Sequence, residues 1–356
     1  MLLSDQNVLF FIRSKNYGGS EEVVLQLCEI LYTKVNKIVV AGGAGFPSEK
    51  LNPMGIKFFE IPDIENKSPA TMIKVSRMLK DIVNKEQITV IHAHNRMAAF
   101  YVYMLQLYKK STFIVTEHSV FSNKRLLTRL SYCKAHLVAC GEMVKKNMNK
   151  YFGINDVIVI HNAVKPFDGE IIDEPLIKKE KSQGRFIVGN VGRLSQEKGM
   201  EYFIDAVPMV LDRHPDTSFY IIGAGPEETK LKEAAKALPV VFLGYRKDVR
   251  SLMSQIDLMV LSSLHEGLPL TPIESFSVGK TIVATAIDGT GEIVKDGYNG
   301  LLVPARNAER LADRICWIIE HPDEKQKYEN NAKMTYENEF SFTQLANSYT
   351  EFYESI

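Results

Sequence analysis

The chain has 356 residues, 45% hydrophobic and 24% charged, the balance of an ordinary soluble protein long enough for two compact domains. Lysine plus arginine and aspartate plus glutamate each number 43, so the formal net charge is zero and charge gives no ground for a nucleic-acid partner. No stretch approaches the ~20 apolar residues that span a bilayer. The four cysteines (Cys28, Cys133, Cys140, Cys316) form no CxxC pair, so the expectation is a reduced, cytoplasmic protein without disulfides.

The N-terminal run MLLSDQNVLFFIRS lacks a basic leader, a long apolar stretch and a small-residue cleavage site, and reads as a first strand, not a signal peptide. Strands are predicted at 7–12, 37–41, 90–93, 113–116, 136–140 and 157–161, with helices at 21–32, 71–84, 97–109, 124–134 and 141–151. This alternation is the signature of a parallel α/β sheet with helices on both faces. Residues 165–184 break it with Pro166, Asp168-Gly169, Asp173-Glu174-Pro175 and a KKEK run, and read as a solvated connection. A second alternation follows, with strands at 186–191, 219–223, 240–243, 258–262, 281–284 and 301–303. The division is therefore 1–165 for a first domain, 166–184 for a linker, 185–335 for a second domain and 336–356 for a closing helix striped with Phe342, Leu345, Tyr349, Phe352 and Tyr353.

The run HEGLPLTPIES places Glu266 and Glu274 eight positions apart around a Gly-Leu-Pro-Leu turn, between a buried strand and a helix predicted at 271–278. A turn that feeds a helix N-terminus presents unpaired N–H groups to an anion. Gly267, Leu268 and Leu270 can donate; Pro269 has no N–H. Two carboxylates beside an anion pocket suit a ligand with phosphates in its middle and hydroxyls at both ends, the layout of a nucleotide-sugar. Gly192-Arg193-Leu194-Ser195 with Glu197-Lys198-Gly199 follows the strand FIVGNV and opens the next helix. Fixed cations there would stabilise the charge that a leaving diphosphate gains. Gly18-Gly19-Ser20-Glu21 opens a helix after the first strand, where glycine lets backbone approach a ligand closely. His118 ends a strand. His92 and His94 share one strand face and raise a metal reading, for which no third ligand has suitable spacing.

Taken in this order, the motifs resemble family 4 of the retaining, nucleotide-sugar-dependent glycosyltransferases (glycosyl transferases group 1), whose fingerprint is two glutamates separated by seven residues. The resemblance runs from Gly18 to the final helix. It implies a GT-B architecture, two Rossmann-like domains facing across a cleft, with the acceptor on the first and the donor on the second. It implies that Arg193 and Lys198 contact the donor diphosphate, that Glu274 accepts from the ribose hydroxyls, that Glu266 contacts the transferred sugar and that His118 lies by its anomeric carbon. Gly18 and Gly19 then approach the donor. The turns holding Gly225 and Arg246 frame the base, Arg246 lying against base or phosphate or else being a solvated turn residue. His94 lines the cleft and His92 is packing. In relatives the closing helix crosses back onto the first domain; a helix packed on the second domain alone is the other reading. The family is generally metal-independent and needs no cofactor, and a uridine diphosphate sugar is its commonest donor. Asp288-Gly289-Thr290-Gly291-Glu292 departs from the family's Gly-Gly-x-Pro-Glu, with Asp288 for a glycine and Gly291 for a proline.

The function these residues lead us to expect is retaining transfer of a sugar to a hydroxyl acceptor, a lipid-linked saccharide of bacterial cell-surface polysaccharide synthesis or a soluble one. A non-catalytic sugar-nucleotide-binding partner protein is the rival. A nicotinamide dehydrogenase lacks its glycine fingerprint here. Residues 100–152 carry nine lysines and arginines against two acids, Glu117 and Glu142, so an anionic membrane surface is a candidate partner, with Lys145, Lys146 and Lys150 as the cations to test. The expected location is then cytoplasmic, with a peripheral contact on the inner membrane face.

Overall fold

Runs such as NVLFF and the IVGNV of FIVGNV are buried along their whole length, which is what a parallel strand covered on both faces requires. The computed structural model describes residues 2–13, 18–287 and 289–356 and places these strands at the centres of two sheets. Asp288, which stands where the family has a glycine, lies outside the described residues. The chain divides into two compact units, one made of the residues up to Asn162 plus Thr343–Ile356, the other of Ala163–Phe342.

In the first unit, β1 (Asn7–Phe11), β2 (Lys37–Gly42), β3 (Lys57–Glu60), β4 (Val90–Ala93), β5 (Thr112–Glu117), β6 (His136–Ala139) and β7 (Ile158–Val159) pair in the order β3-β2-β1-β4-β5-β6-β7. Every pairing is parallel. β3 escapes the sequence pattern because it is four residues of KFFE, partly exposed at the sheet edge. The helix Pro69–Lys85 shows why such segments form: Ser68 accepts from the Thr71 amide, Pro69 starts the first turn, and Val75, Leu79, Ile82 and Val83 make one buried stripe. The helix expected over 97–109 stops at Met104, because Gln106 takes a left-handed φ of 54° before a short 3-10 turn at Leu107–Lys109.

In the second unit, β8 (Phe186–Val191), β9 (Thr217–Ile222), β10 (Val240–Gly244), β11 (Leu258–Leu261), β12 (Ile282–Thr285) and β13 (Gly300–Val303) pair in parallel in the order β10-β9-β8-β11-β12-β13. Val188, Val260 and Val283 of these strands pack with Phe203 and Val207 of the helix Met200–Arg213 and Ile315 of the helix Ala308–Glu320. The stretch 166–184, expected to be a solvated connection, carries the helix Pro175–Ser182. Buried Ile177 anchors it, and the Tyr220 hydroxyl donates to Glu180 at 2.6 Å, so the segment is part of the second unit.

The closing helix, Phe342–Ser355, buries Leu345, Tyr349, Phe352 and Tyr353. Its tyrosines reach the first sheet: the Tyr353 hydroxyl lies 2.8 Å from His92 Nδ1, the Tyr349 hydroxyl 3.3 Å from Thr116 Oγ1, and His92 Nε2 is 2.7 Å from the same Thr116. His92 is fully buried, and so serves packing and hydrogen bonding. Burial, with a smaller contribution from His118, lowers its pKa to about 3. An unfolded histidine titrates near ~6.5, so below that pH the unfolded chain binds a proton that the native state excludes. Stability is therefore fully present above about pH 6.5 and falls as pH drops toward 3, at up to about 1.4 kcal/mol per pH unit for this one residue. Urea unfolding measured from neutral pH to mild acid checks this. His92→Phe is expected to be less stable at neutral pH and shallower in its acid dependence by about one proton, whereas an unchanged slope would remove His92 as the source.

Candidate functional site

In open parallel sheets, ligands bind beyond the carboxyl ends of the strands, where the order of strand connection reverses. In the first sheet that point lies between β1 and β4. Arg13 and Ser20 follow β1, His94 to Met97 follow β4, and Glu117 to Ser119 with Phe121 end or follow β5; with Glu65 they line a cavity of about 270 Å³. His94 Nδ1 and His118 Nε2 are 3.1 Å apart, with rings stacked at 15°. Burial lowers the His118 pKa to about 4, and burial with the neighbouring His92 and His118 rings holds His94 well below its usual value. Both are neutral near pH 7, so they share a proton as hydrogen-bonding groups and bring no positive charge to the cavity. Buried His94 Nε2 has no partner among the described residues, which leaves one ring nitrogen for a ligand.

Glu117 holds the His118 turn. One carboxylate oxygen accepts from the backbone N–H of His118 at 3.0 Å and of Ser119 at 3.2 Å; the other accepts from the Tyr132 hydroxyl at 2.5 Å. Burial raises the Glu117 pKa, and these donors oppose the shift. Asn95 caps the helix Arg96–Met104 through the Ala98 amide at 2.8 Å and fixes the turn after His94. Gly18 and Gly19, both exposed, form the N-terminus of the helix Gly19–Leu31, and the Gly18 carbonyl accepts from Glu22 at 3.1 Å.

In the second sheet the switch point lies between β8 and β11. The turn after β8 carries Arg193 and Lys198; the turn after β11 carries Glu266 and leads into the helix Leu270–Ser277, with Glu274 in its second turn. Lys198 Nζ lies 2.5 Å from Glu266 Oε1, which also accepts from Ser263 at 2.8 Å. The two turns are sewn together by backbone as well. The Leu264 amide donates to the Glu197 carbonyl at 2.7 Å, the Ser262 hydroxyl to the Lys198 carbonyl at 3.1 Å, and the Asn190 side chain to Ser262 at 3.0 Å. Gly199 has φ 55°, and a Cβ there would stand 2.3 Å from the Ser262 carbonyl oxygen, so only glycine fits. A Cβ on Gly289 would be 1.9 Å from the Gly267 carbonyl, which brings the loop after β12 against the Glu266 turn. Arg193 is exposed, its carbonyl accepts from the Ser195 amide at 2.9 Å, and its guanidinium has no hydrogen bond or ion pair among the described residues. Gly267 is half-buried, Leu268 is buried and Leu270 is the first residue of the helix, its first turn presenting free amide donors.

The turn after β9 reaches the same loops through Gly225, whose added Cβ would fall 2.3 Å from the Leu194 carbonyl, and through the Leu194 amide, which donates to Ala224 at 3.1 Å. Arg246, expected to lie against base or phosphate or to be a turn residue, is held by carboxylates of its own unit. Its guanidinium forms a fork to Asp248 at 2.8 and 2.6 Å and a third bond to Glu174 at 2.6 Å. These two carboxylates raise its pKa and take three of its five N–H donors, so it braces the turn after β10 against the start of the helix Pro175–Ser182. Sequence reasoning missed Glu117, Ser263 and Asn190. Glu117 alone carried a signal, an acid at the buried end of a strand and next to a candidate histidine.

Two family profiles match the chain: Glycosyltransferase Family 4 over residues 17–166 and Glycosyl transferases group 1 over residues 172–335. An uncharacterized glycosyltransferase of Methanocaldococcus jannaschii is 24% identical over 300 residues, 77% of this chain and 77% of that protein. A human protein named as part of phosphatidylinositol N-acetylglucosaminyltransferase is 26% identical over 318 residues, 82% of this chain and 63% of that protein. The crystal structure of HepE from Anabaena in complex with UDP superposes with a TM-score of 0.82 at 21% identity, over 99% of this chain and 100% of that one, and shares its two-domain GT-B fold. The chain belongs to the group 1, family 4-type glycosyltransferases and is a glycosyltransferase enzyme.

Proposed function

We propose that the chain transfers a sugar, with retention, from a uridine diphosphate sugar to a hydroxyl of a lipid-linked saccharide in cell-surface polysaccharide synthesis, and that it works against an anionic membrane surface. The observation that carries the donor half is the Lys198–Glu266 pair beside the unpaired Arg193, at the switch point of the second sheet. The UDP and UDP-glucose complexes of HepE support the choice of nucleotide. The name of the human relative, a phosphatidylinositol sugar transferase component, supports a lipid acceptor. No helix among the described residues is long and apolar enough to cross a membrane, so a peripheral contact is the form we propose.

In this reading Arg193, Lys198 and the amides of Gly267, Leu268 and Leu270 hold the diphosphate. Its charge grows as the glycosidic bond breaks, and groups already fixed in place stabilise that charge without reorganising. Glu274 accepts from the ribose hydroxyls. Glu266, oriented by Lys198 and Ser263, accepts from hydroxyls of the transferred sugar. His118, neutral and held by the Glu117 turn, bonds the sugar near its anomeric carbon. The acceptor hydroxyl attacks from the face that the diphosphate leaves, and the departing phosphate oxygen takes its proton. We propose that the two cations do without a metal. A covalent sugar–protein adduct trapped during turnover would contradict this route.

Thermal unfolding with UDP, GDP and ADP, with and without EDTA, tests the donor site. UDP is expected to raise the midpoint equally in EDTA, by the equivalent of about 2.7 kcal/mol at a hundredfold excess over Kd. Lys198→Ala and Glu274→Ala are expected to lose the shift; a shift that needs metal, or none with any nucleotide, would contradict the assignment. A second contrast separates two arginines. Arg193→Ala is expected to lower kcat by about 10²–10³ with stability unchanged. Arg246→Ala is expected to lower the unfolding midpoint but keep the UDP shift, because its partners are Asp248 and Glu174.

A further inference from the structure

Beside the polar cavity of the first unit is a second one of about 230 Å³, lined by Ile64, Met72, Met97, Phe100, Tyr101 and Leu127, with Lys67 also on its wall. Met97 borders both cavities. An apolar cavity that abuts a polar one containing two histidines and two arginines has the shape of a site for an amphiphile: chain in one, head in the other.

The element that closes this cavity has an unusual outer face. The helix Arg125–Tyr132 contributes Leu127 to the wall and exposes Leu126 by 72% and Leu130 by 42%. Arg125 and Arg129, each immediately before one of these leucines, are exposed too, and Lys124 precedes them. No acid occurs between Glu117 and Glu142. Lys67 is on the wall of the apolar cavity, and Arg96, on the wall of the polar one, donates to Asn123 at 3.0 Å, next to Lys124. Leucines placed one turn apart in a field of one sign suit the boundary between headgroups and acyl chains of an anionic bilayer. Water favours neither the exposed leucines nor the crowding of cations.

We propose that this helix seats the protein on an anionic lipid surface and that the cavity behind it takes one hydrocarbon chain of the lipid-linked acceptor. The proposal rests on the lipid-acceptor reading above and gives it a location. Leu126 and Leu130 enter the headgroup boundary, Lys67, Lys124, Arg125 and Arg129 meet the phosphates, and the chain runs past Leu127 to Met72 and Met97. Its polar end then lies at Met97, on the border of the His94–His118 cavity. This places the membrane contact away from Lys145 and Lys146, whose helix, Glu142–Asn147, exposes no large hydrophobic residue, and from Lys150 in the next turn, where Tyr151 is 38% exposed and lies under the Lys150 ammonium.

Vesicle flotation without donor tests the seat, so its outcome does not depend on which sugar is transferred. The full chain is expected to bind phosphatidylcholine vesicles containing about 30% phosphatidylglycerol and not pure phosphatidylcholine. Leu126→Asn with Leu130→Asn, and separately Arg125→Gln with Arg129→Gln, are each expected to weaken binding at least about tenfold, with thermal unfolding unchanged because all four side chains are exposed. Neutralising Lys145, Lys146 and Lys150 together should leave most of the binding. Equal binding to both vesicle types, or loss only in the lysine variant, would overturn the seat. For the cavity, monomeric dihexanoyl phosphatidylglycerol should shift the methyl signals of Met72 and Met97 in a protein labelled with ¹³C-methyl methionine. Leu127→Trp should abolish those shifts, and unmoved methyl signals in the wild type would overturn the chain site.

Discussion

The ion pair between Lys198 and Glu266 is the contact on which the proposed donor site depends, because each partner belongs to a different strand-end turn. The sheet order alone brings the ends of β8 and β11 side by side. It does not set the height or tilt of the turns that follow. Those are set by backbone bonds from Leu264 to Glu197 and from Ser262 to Lys198, and by the absence of a side chain at Gly199. A cation and a carboxylate fixed in this way need little rearrangement to receive a diphosphate and a sugar, which is where an enzyme gains most from preorganisation.

The first unit solves a different problem with different physics. Its polar cavity contains neutral histidines, kept so by burial, and its geometry comes from a buried carboxylate that gathers two amides and a tyrosine hydroxyl. The closing helix belongs to the same arrangement, since Tyr353 and Tyr349 bond to His92 and Thr116 on strands β4 and β5. A residue that looked like a metal-ligand candidate in the sequence, His92, is thus a packing residue that ties the last helix to the sheet.

The parallel α/β architecture was legible because buried strands leave near-continuous apolar runs and their helices leave regular stripes. The cations and glutamates of the second unit were legible because they occupy strand-to-helix turns, where position along the chain implies position in the fold. Contacts between distant segments were not legible. Nothing near Arg246 in the sequence shows that Glu174, 72 residues away, completes its coordination. Nothing in a KKEK run shows that Ile177 and Glu180 dock it onto a sheet. The β3 edge and the break at Gln106 were missed for a local reason: a four-residue strand and a single left-handed residue leave no periodicity to read.

The most direct test of the account is calorimetric titration of the wild type with UDP, UMP and uridine, in EDTA, repeated on Arg193→Ala. The account predicts that affinity rises steeply from uridine to UDP and that Arg193→Ala removes most of the gain due to the diphosphate while leaving the weaker uridine binding intact. Equal affinity for uridine and UDP, or a diphosphate gain that survives in Arg193→Ala, would contradict the assignment of the β8 turn as the phosphate site.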